Sequence, residues 1–200
     1  MKTGVILARL QPIHNGHLEL IKKAIDENDE VYVFIGSADK FNKRNPIPIS
    51  TRIEFTKEGI AEMLRKKYDD MNVLTEEILN YARVYVVPLD DLDDETNNSH
   101  EWGFYLYSKV VTETNNPNFT IYYSDGFEII TTWFPGFILR NNVSLSLIAR
   151  NSVKNGISAT SVRKMIMDGD DENLKNSVPT CVYERREHIK TLIELSEKVH

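Results

Sequence analysis

The sequence predicts a doubly wound α/β fold, with a mostly parallel sheet of five to six strands and helices on both faces. Three observations predict it. Short apolar, β-branched or aromatic runs recur at residues 5–8, 30–36, 83–88, 119–123 and 143–148. Between them lie segments whose apolar positions follow a 3.6-residue period. The first strand, first helix and second strand fit within about thirty-five residues, as a βαβ unit with parallel strands and a right-handed crossover does.

Residues 5–8 suit a short, buried parallel strand bounded by Pro12. From Leu18 the period changes. Leu18, Leu20, Ile21, Ala24 and Ile25 fall on one side of a helix, with Glu19, Lys22 and Lys23 outside. The junction holds Arg9, Leu10, Gln11, Pro12, His14, Asn15, Gly16 and His17. A strand that enters a helix through such a turn aims unpaired backbone N–H groups at the loop, a natural seat for phosphate. His14 and His17 lie three apart and can reach one anion, although a lone histidine there would read as a cap or a surface residue.

Residues 30–36 form the second strand and end at Gly36. The loop 37–49 carries Lys40, Lys43, Arg44, Asn45, Pro46 and Pro48, and its basic residues suit solvent as well as phosphate. It leads to a helix for which Ser50 is the expected N-cap, with Ile53, Ile60 and Leu64 inward. Arg52 stands near that helix start, where its charge opposes the dipole, so an anion is its expected partner. Residues 57–82 read as helical with a break at 68–71, and residues 83–88 as a third strand stopped by Pro88.

Residues 100–114 read as a helix with Trp102, Tyr105, Leu106, Val110 and Val111 inward, and on its own Trp102 is core. A fourth strand, 119–123, runs into the turn Ser124-Asp125-Gly126. Residues 131–136 read as irregular, and 143–148 as the fifth strand. After Gly156 comes Ile157-Ser158-Ala159-Thr160-Ser161-Val162-Arg163. Ser158 can cap a helix with Val162, Met165 and Ile166 inward, and Arg163 one turn in makes a second anion seat. Alone, Ser-x-Thr-x-x-Arg is only an N-cap followed by a surface arginine. From Pro179 a closing amphipathic helix has Val182, Ile189, Leu192, Ile193 and Leu195 as its stripe. Residues 1–200 thus read as one domain, with 179–200 docked on it.

A composition of 41% hydrophobic and 27% charged residues is that of a globular chain rather than a disordered one. No apolar run approaches the roughly 20 residues that span a bilayer. The chain enters a strand at once and lacks a signal peptide's pattern. The single cysteine, Cys181, excludes an internal disulfide and a cysteine-based zinc site. A cytoplasmic location, with no membrane partner, is expected. A net charge of −6 argues against a nucleic-acid partner but leaves small phosphorylated substrates open. The acidic stretches 90–95 and 168–172 read as solvated loops.

Pro12-Ile13-His14-Asn15-Gly16-His17 carries a Pro-x-His-x-Gly-His signature, and on it the chain resembles the nucleotidylyltransferase superfamily of HxGH type. The longer run from Arg9 to His17 looks most like the archaeal-type nicotinamide mononucleotide adenylyltransferases. Ile157-Ser158-x-Thr160-x-x-Arg163 is similar to the superfamily's other hallmark, in the same order. Gly36-Ser37, Asn45-Pro46 and Arg52 resemble a run that surrounds the nucleotide phosphates there.

This resemblance implies a Rossmann-like fold and a transfer of AMP from ATP to nicotinamide mononucleotide, giving NAD and pyrophosphate without a covalent enzyme intermediate. It implies catalytic roles for His14, His17 and Arg163. It implies substrate or ATP contacts from Arg9, Leu10, Gln11, Gly16, Gly36, Ser37, Asn45, Arg52, Ser124, Asp125, Ile157, Ser158 and Thr160, with Trp102 near the pyridine ring. A phosphate monoester has its second pKa at about 6, so the attacking group needs no general base. Mg²⁺ would ride on the ATP, with no dedicated protein ligands expected. Where the family commonly has a Gly-His-x-Lys-Asp-type loop, this chain reads Ser124-Asp125-Gly126-Phe127-Glu128. Two alternatives therefore stay open: a relative that uses CTP or another phosphorylated acceptor, and a non-catalytic nucleotide-binding regulator. Assembly as a homo-oligomer is compatible with each.

Overall fold

The computed structural model describes residues 1–92, 99–149 and 156–199. Along the chain run β1 (Thr3–Ala8), α1 (Asn15–Glu27), β2 (Glu30–Ile35), α2 (Ile49–Tyr68), α3 (Thr75–Tyr81), β3 (Val84–Pro88), α4 (Ser99–Thr114) and β4 (Phe119–Ser124). A 3₁₀ turn (Glu128–Thr132), α5 (Gly136–Asn141), β5 (Val143–Ile148), α6 (Ala159–Asp168), α7 (Asp171–Ser177), α8 (Thr180–Glu184) and α9 (Arg186–Ser196) follow.

The five strands are all parallel, in the order β3-β2-β1-β4-β5. Strand order reverses between β1 and β4, and in doubly wound sheets ligands bind outside the carboxyl ends of the strands at such a point. Side chains alternate along each strand, so one strand feeds two cores. Ile6, Val31, Val33 and Ile35 join the inner faces of α1, α2, α3 and α6–α9. Val5, Tyr32, Phe34, Ile121 and Tyr123 join α4, the 3₁₀ turn and α5 on the other face. The sheet is therefore covered on both sides, as a Rossmann-like parallel sheet must be.

Several boundaries differ from those the sequence predicts. Pro48 rather than Ser50 precedes α2, because proline's fixed φ suits a helix entry, and Ser50 lies in the first turn. The stretch 168–172 is not all loop: Asp170 caps α7 by accepting from the Asn173 N–H at 3.3 Å, so acid here serves a helix start. The stretch 131–136, read as irregular, begins inside the 3₁₀ turn and ends at the first residue of the short helix α5, for which the sequence gives no signal. The closing helix breaks at Arg185 into α8 and α9, with Val182, Ile189 and Ile193 inward. Leu195 is exposed, and Ser196 is buried in its stead. Arg185 forks onto Glu58 of α2 at 2.8 and 3.1 Å, which fastens this segment to the body. Of the acidic stretch 90–95, residues 93–95 lie outside the described residues.

Candidate active site

The carboxyl end of β1 delivers a turn whose shape is enforced from several sides. Leu10 (φ 50°) and, after β2, Ser37 (φ 52°) sit in the left-handed region. Such a conformation costs a non-glycine residue about 1–2 kcal/mol. Leu10 offsets this by burying its side chain in the core, where it is 2% exposed. Arg52 holds the backbone just before Leu10 and on both sides of the Ser37 N–Cα bond. Its Nη1 donates to the Arg9 and Gly36 carbonyls at 3.0 and 2.8 Å, and its Nη2 to the Ser37 carbonyl at 2.8 Å. Its place near a helix start predicts an anion as partner; here three carbonyls at the ends of β1 and β2 take its hydrogen bonds. Burial pulls its guanidinium down to about 10, Arg9 adds to that, and Asp91 and Asp39 oppose it.

His14 occupies the N-cap position of α1 in extended conformation, without a side-chain cap bond. Its imidazole is 5% exposed and stacks on that of His17, with ring centroids 3.7 Å apart and planes at 28°. Gly16 explains the residue between them. A Cβ there would meet the His14 ring at 3.2 Å, tighter than ordinary contact, so the stack needs glycine. The same position lies 3.8 Å from the Ile157 carbonyl, which brings the second motif against the start of α1.

Ser158 caps α6 as expected: its Oγ accepts from the Ser161 N–H at 3.1 Å, and Ser161 Oγ returns the bond to the Ser158 N–H at 3.0 Å. This fixes the first turn and sets Arg163 one turn in. Arg163 donates to the Gln11 carbonyl at 2.8 Å and to Thr160 Oγ1 at 3.4 Å. A separation of 152 residues in sequence is closed by the first of these bonds.

The electrostatics of this edge are one-sided. Burial lowers Arg9, Arg44's like charge lowers it further, and Asp91 partly opposes both. Burial and then Arg9 lower Arg163. Arg9 thus stands within electrostatic reach of Arg44, Arg52 and Arg163, with Asp91 and Asp39 as the opposing charges. Such a cluster is suited to a polyanion. The sequence places Asp91 in a solvated loop. It instead accepts from Ser37 Oγ at 3.0 Å, while its N–H donates to Asp39 Oδ1 at 2.9 Å. Neither Asp91 nor Arg44 carries a periodic signal, and only the fold shows that they face Arg9.

Asn45 is 4% exposed in a loop closed on Asn42, whose Oδ1 accepts from the Arg44 and Asn45 N–H groups at 3.0 Å. Ser124 and Asp125 stand at the same edge, where β4 ends beside β1. Trp102 joins a different group. It stacks on Trp133 at 5.7 Å and 26°, and meets Tyr105 edge-on at 6.0 Å. Tyr105 Oη donates to the Asp90 carbonyl at 3.0 Å, so these aromatics sit at the carboxyl end of β3. Trp133, which the sequence leaves in an irregular stretch, is fixed by Gly103: a Cβ there would lie 2.0 Å from the Trp133 carbonyl oxygen. Among the described residues, no group of three or more His, Cys, Asp or Glu side chains is placed to hold a metal ion.

Comparison with known proteins adds a family. Residues 8–165 match the cytidylyltransferase-like family model. A nicotinamide-nucleotide adenylyltransferase of Thermococcus kodakarensis is 28% identical over 206 residues, covering 99% of this chain and 94% of that protein. Its counterpart in Picrophilus torridus is also 28% identical, over 88% of this chain and 85% of its own. Among solved structures, the Plasmodium falciparum nicotinic acid mononucleotide adenylyltransferase complexed with NaAD aligns with a TM-score of 0.56 at 14% identity, over 97% of this chain and 98% of that one. A bifunctional NMN adenylyltransferase/ADP ribose pyrophosphatase from Francisella tularensis aligns at 0.57 and 22% identity over 84% of this chain, which spans 42% of it. At these identities the structural matches speak for the fold.

Proposed function

This chain belongs to the cytidylyltransferase-like family, and on that footing we propose that it transfers AMP from ATP to nicotinamide mononucleotide, releasing pyrophosphate. The reading rests above all on the meeting of the two motifs at one sheet edge, where Arg163 bonds the Gln11 carbonyl in the turn that leads to the stacked His14 and His17. Transfer between two polyanions requires their alignment and the stabilisation of charge on the transferring phosphoryl group, and this edge has the donors for both. The acceptor's phosphate is already largely dianionic near neutral pH, so it attacks the α-phosphorus directly, and pyrophosphate leaves.

His14 and His17 serve the transferring phosphate, Arg9 and Arg163 the phosphate oxygens, and Ser158 and Thr160 shape the second seat. Arg52 acts from below by holding the two strand ends. Mg²⁺ enters with the triphosphate and neutralises part of its charge. Trp102, half-buried against Trp133, is the aromatic for a cationic pyridine ring, an attraction worth about 0.5–2 kcal/mol. Nicotinamide as the acceptor's base also draws on the full-length similarity to the Thermococcus enzyme. The Ser124–Glu128 sequence keeps CTP or a different phosphorylated acceptor as the competing reading.

A panel separates these. ATP and CTP are each paired with nicotinamide mononucleotide, nicotinate mononucleotide and phosphopantetheine, and pyrophosphate is read. Release with ATP and nicotinamide mononucleotide, at least tenfold above every other pair, is expected. Preference for CTP or for another acceptor would replace the assignment.

A further inference from the structure

The family resemblance assigns Gln11 to the nucleotide, but its carboxamide is engaged elsewhere. The residue is 2% exposed. Its Oε1 accepts from the Ile47 N–H at 2.9 Å, and its Nε2 donates to the Ile47 carbonyl at 3.3 Å. A side chain here supplies the pair of bonds that a neighbouring strand would give. Ile47 lies between Pro46 and Pro48, neither of which has an N–H, so Gln11 takes the only backbone donor of residues 46–48. The Gln11 carbonyl meanwhile accepts from Arg163. One residue thereby joins the turn after β1, the loop between β2 and α2, and α6.

Two residues before Ile47, the Asn45 side chain is buried and its Oδ1 has no hydrogen-bond partner among the described residues. A buried acceptor left in that state is costly and persists where something else holds it in place or a ligand completes it. We propose that Gln11 is a positioning residue: it docks loop 37–48 onto turn 9–14 and holds the Asn45 carboxamide oxygen ready for a hydrogen-bond donor of the bound nucleotide. The nucleotide's identity rests on the adenylyl-transfer reading; the clamp does not.

Gln11→Leu keeps the buried volume and removes both bonds. Amide hydrogen exchange by NMR should show the Ile47 N–H losing about tenfold in protection, with β2 amides unchanged. Gln11→Met, which also removes both bonds but keeps an unbranched side chain, should lose that protection likewise and decides the matter if the leucine variant fails to fold. Calorimetry with ATP should show Kd raised about tenfold in Gln11→Leu and in Asn45→Ala, and the two together should exceed either alone by less than about twofold. Unchanged Ile47 protection in Gln11→Leu or in Gln11→Met overturns the clamp. Additive Kd effects overturn the link to Asn45. Exchange is read without nucleotide, so failure of the adenylyl-transfer assay would leave the test of the clamp unaffected, while absent ATP binding in the wild-type chain would count against that reading alone.

Discussion

At the amino-terminal edge of the sheet, buried polar groups answer one another, whereas at the carboxyl-terminal edge like charges face each other. Thr3 Oγ1 donates to Glu30 Oε1 at 2.8 Å and accepts from Asn116 Nδ2 at 2.9 Å. The Tyr122 hydroxyl accepts from Asn28 Nδ2 and donates to Glu27 Oε2, both at 2.8 Å. This edge also has a recess of about 740 Å³ bounded by Lys2, Asp26, Tyr122 and Arg140. Volume would favour it as the binding site, yet its buried polar groups already have protein partners. At the other edge, Arg9 bears as a like charge on Arg52 and Arg163, and Arg52 holds the backbone beside two strained residues. Unbalanced charge maintained at a structural cost, more than volume, marks where a charged ligand belongs.

Substitutions at the two edges should therefore differ in what they damage. His17→Ala should lower kcat about 10³-fold while ATP affinity by calorimetry stays within a few-fold, as the loss of a transition-state donor does. A rate near wild type would remove His17 from the catalytic assignment. Arg163→Ala should cost about 10²-fold in kcat/KM if Arg163 holds phosphate as proposed, because it then removes that contact and also releases the Gln11 carbonyl. Gly16→Ala should separate stability from activity. Alanine favours the helix by up to about 1 kcal/mol, but its methyl displaces the His14 ring, so turnover should fall about tenfold without loss of Tm.

Tyr122→Phe, at the opposite edge, should leave turnover within about twofold and cost about 1 kcal/mol of stability. Its signature is in the alkaline range. Burial, with Glu27 adding to it and Asn28 opposing, pushes the Tyr122 hydroxyl up to about 12 from 10.0. The folded chain thus keeps a proton that the unfolded chain sheds. The stability this contributes is full below pH 10 and is lost as pH rises toward 12. Denaturant titrations between those pH values should show a shallower loss in the phenylalanine variant, while Tyr32, also raised to about 12, keeps its own step.

Much of this architecture is legible in the sequence because short periodic runs carry it. The β5 bounds, Val143–Ile148, agree residue for residue, and β1 to β4 differ by one or two. The nearness of His14 and His17 and the Ser158 cap follow from local motifs, though the stacking of the two rings does not. What is not legible depends on contacts between distant residues. Arg52 makes its bonds at the ends of two strands, Asp91 meets Ser37 across 54 positions, and Gln11 meets Ile47 across 36. No spacing rule separates a glutamine that binds ligand from one that fastens a loop. The short helices α5 and α7 escape a periodicity reading because too few turns are present to show a period.

Direct nucleotidyl transfer at the carboxyl-terminal edge stands or falls on pyrophosphate and NAD measured together, with ATP alone and then with nicotinamide mononucleotide added. The expected result is no pyrophosphate from ATP alone and equal amounts of the two products once the acceptor is present. One equivalent of pyrophosphate per protein from ATP alone would mean a covalent intermediate, and no release with the acceptor present would contradict the assignment itself.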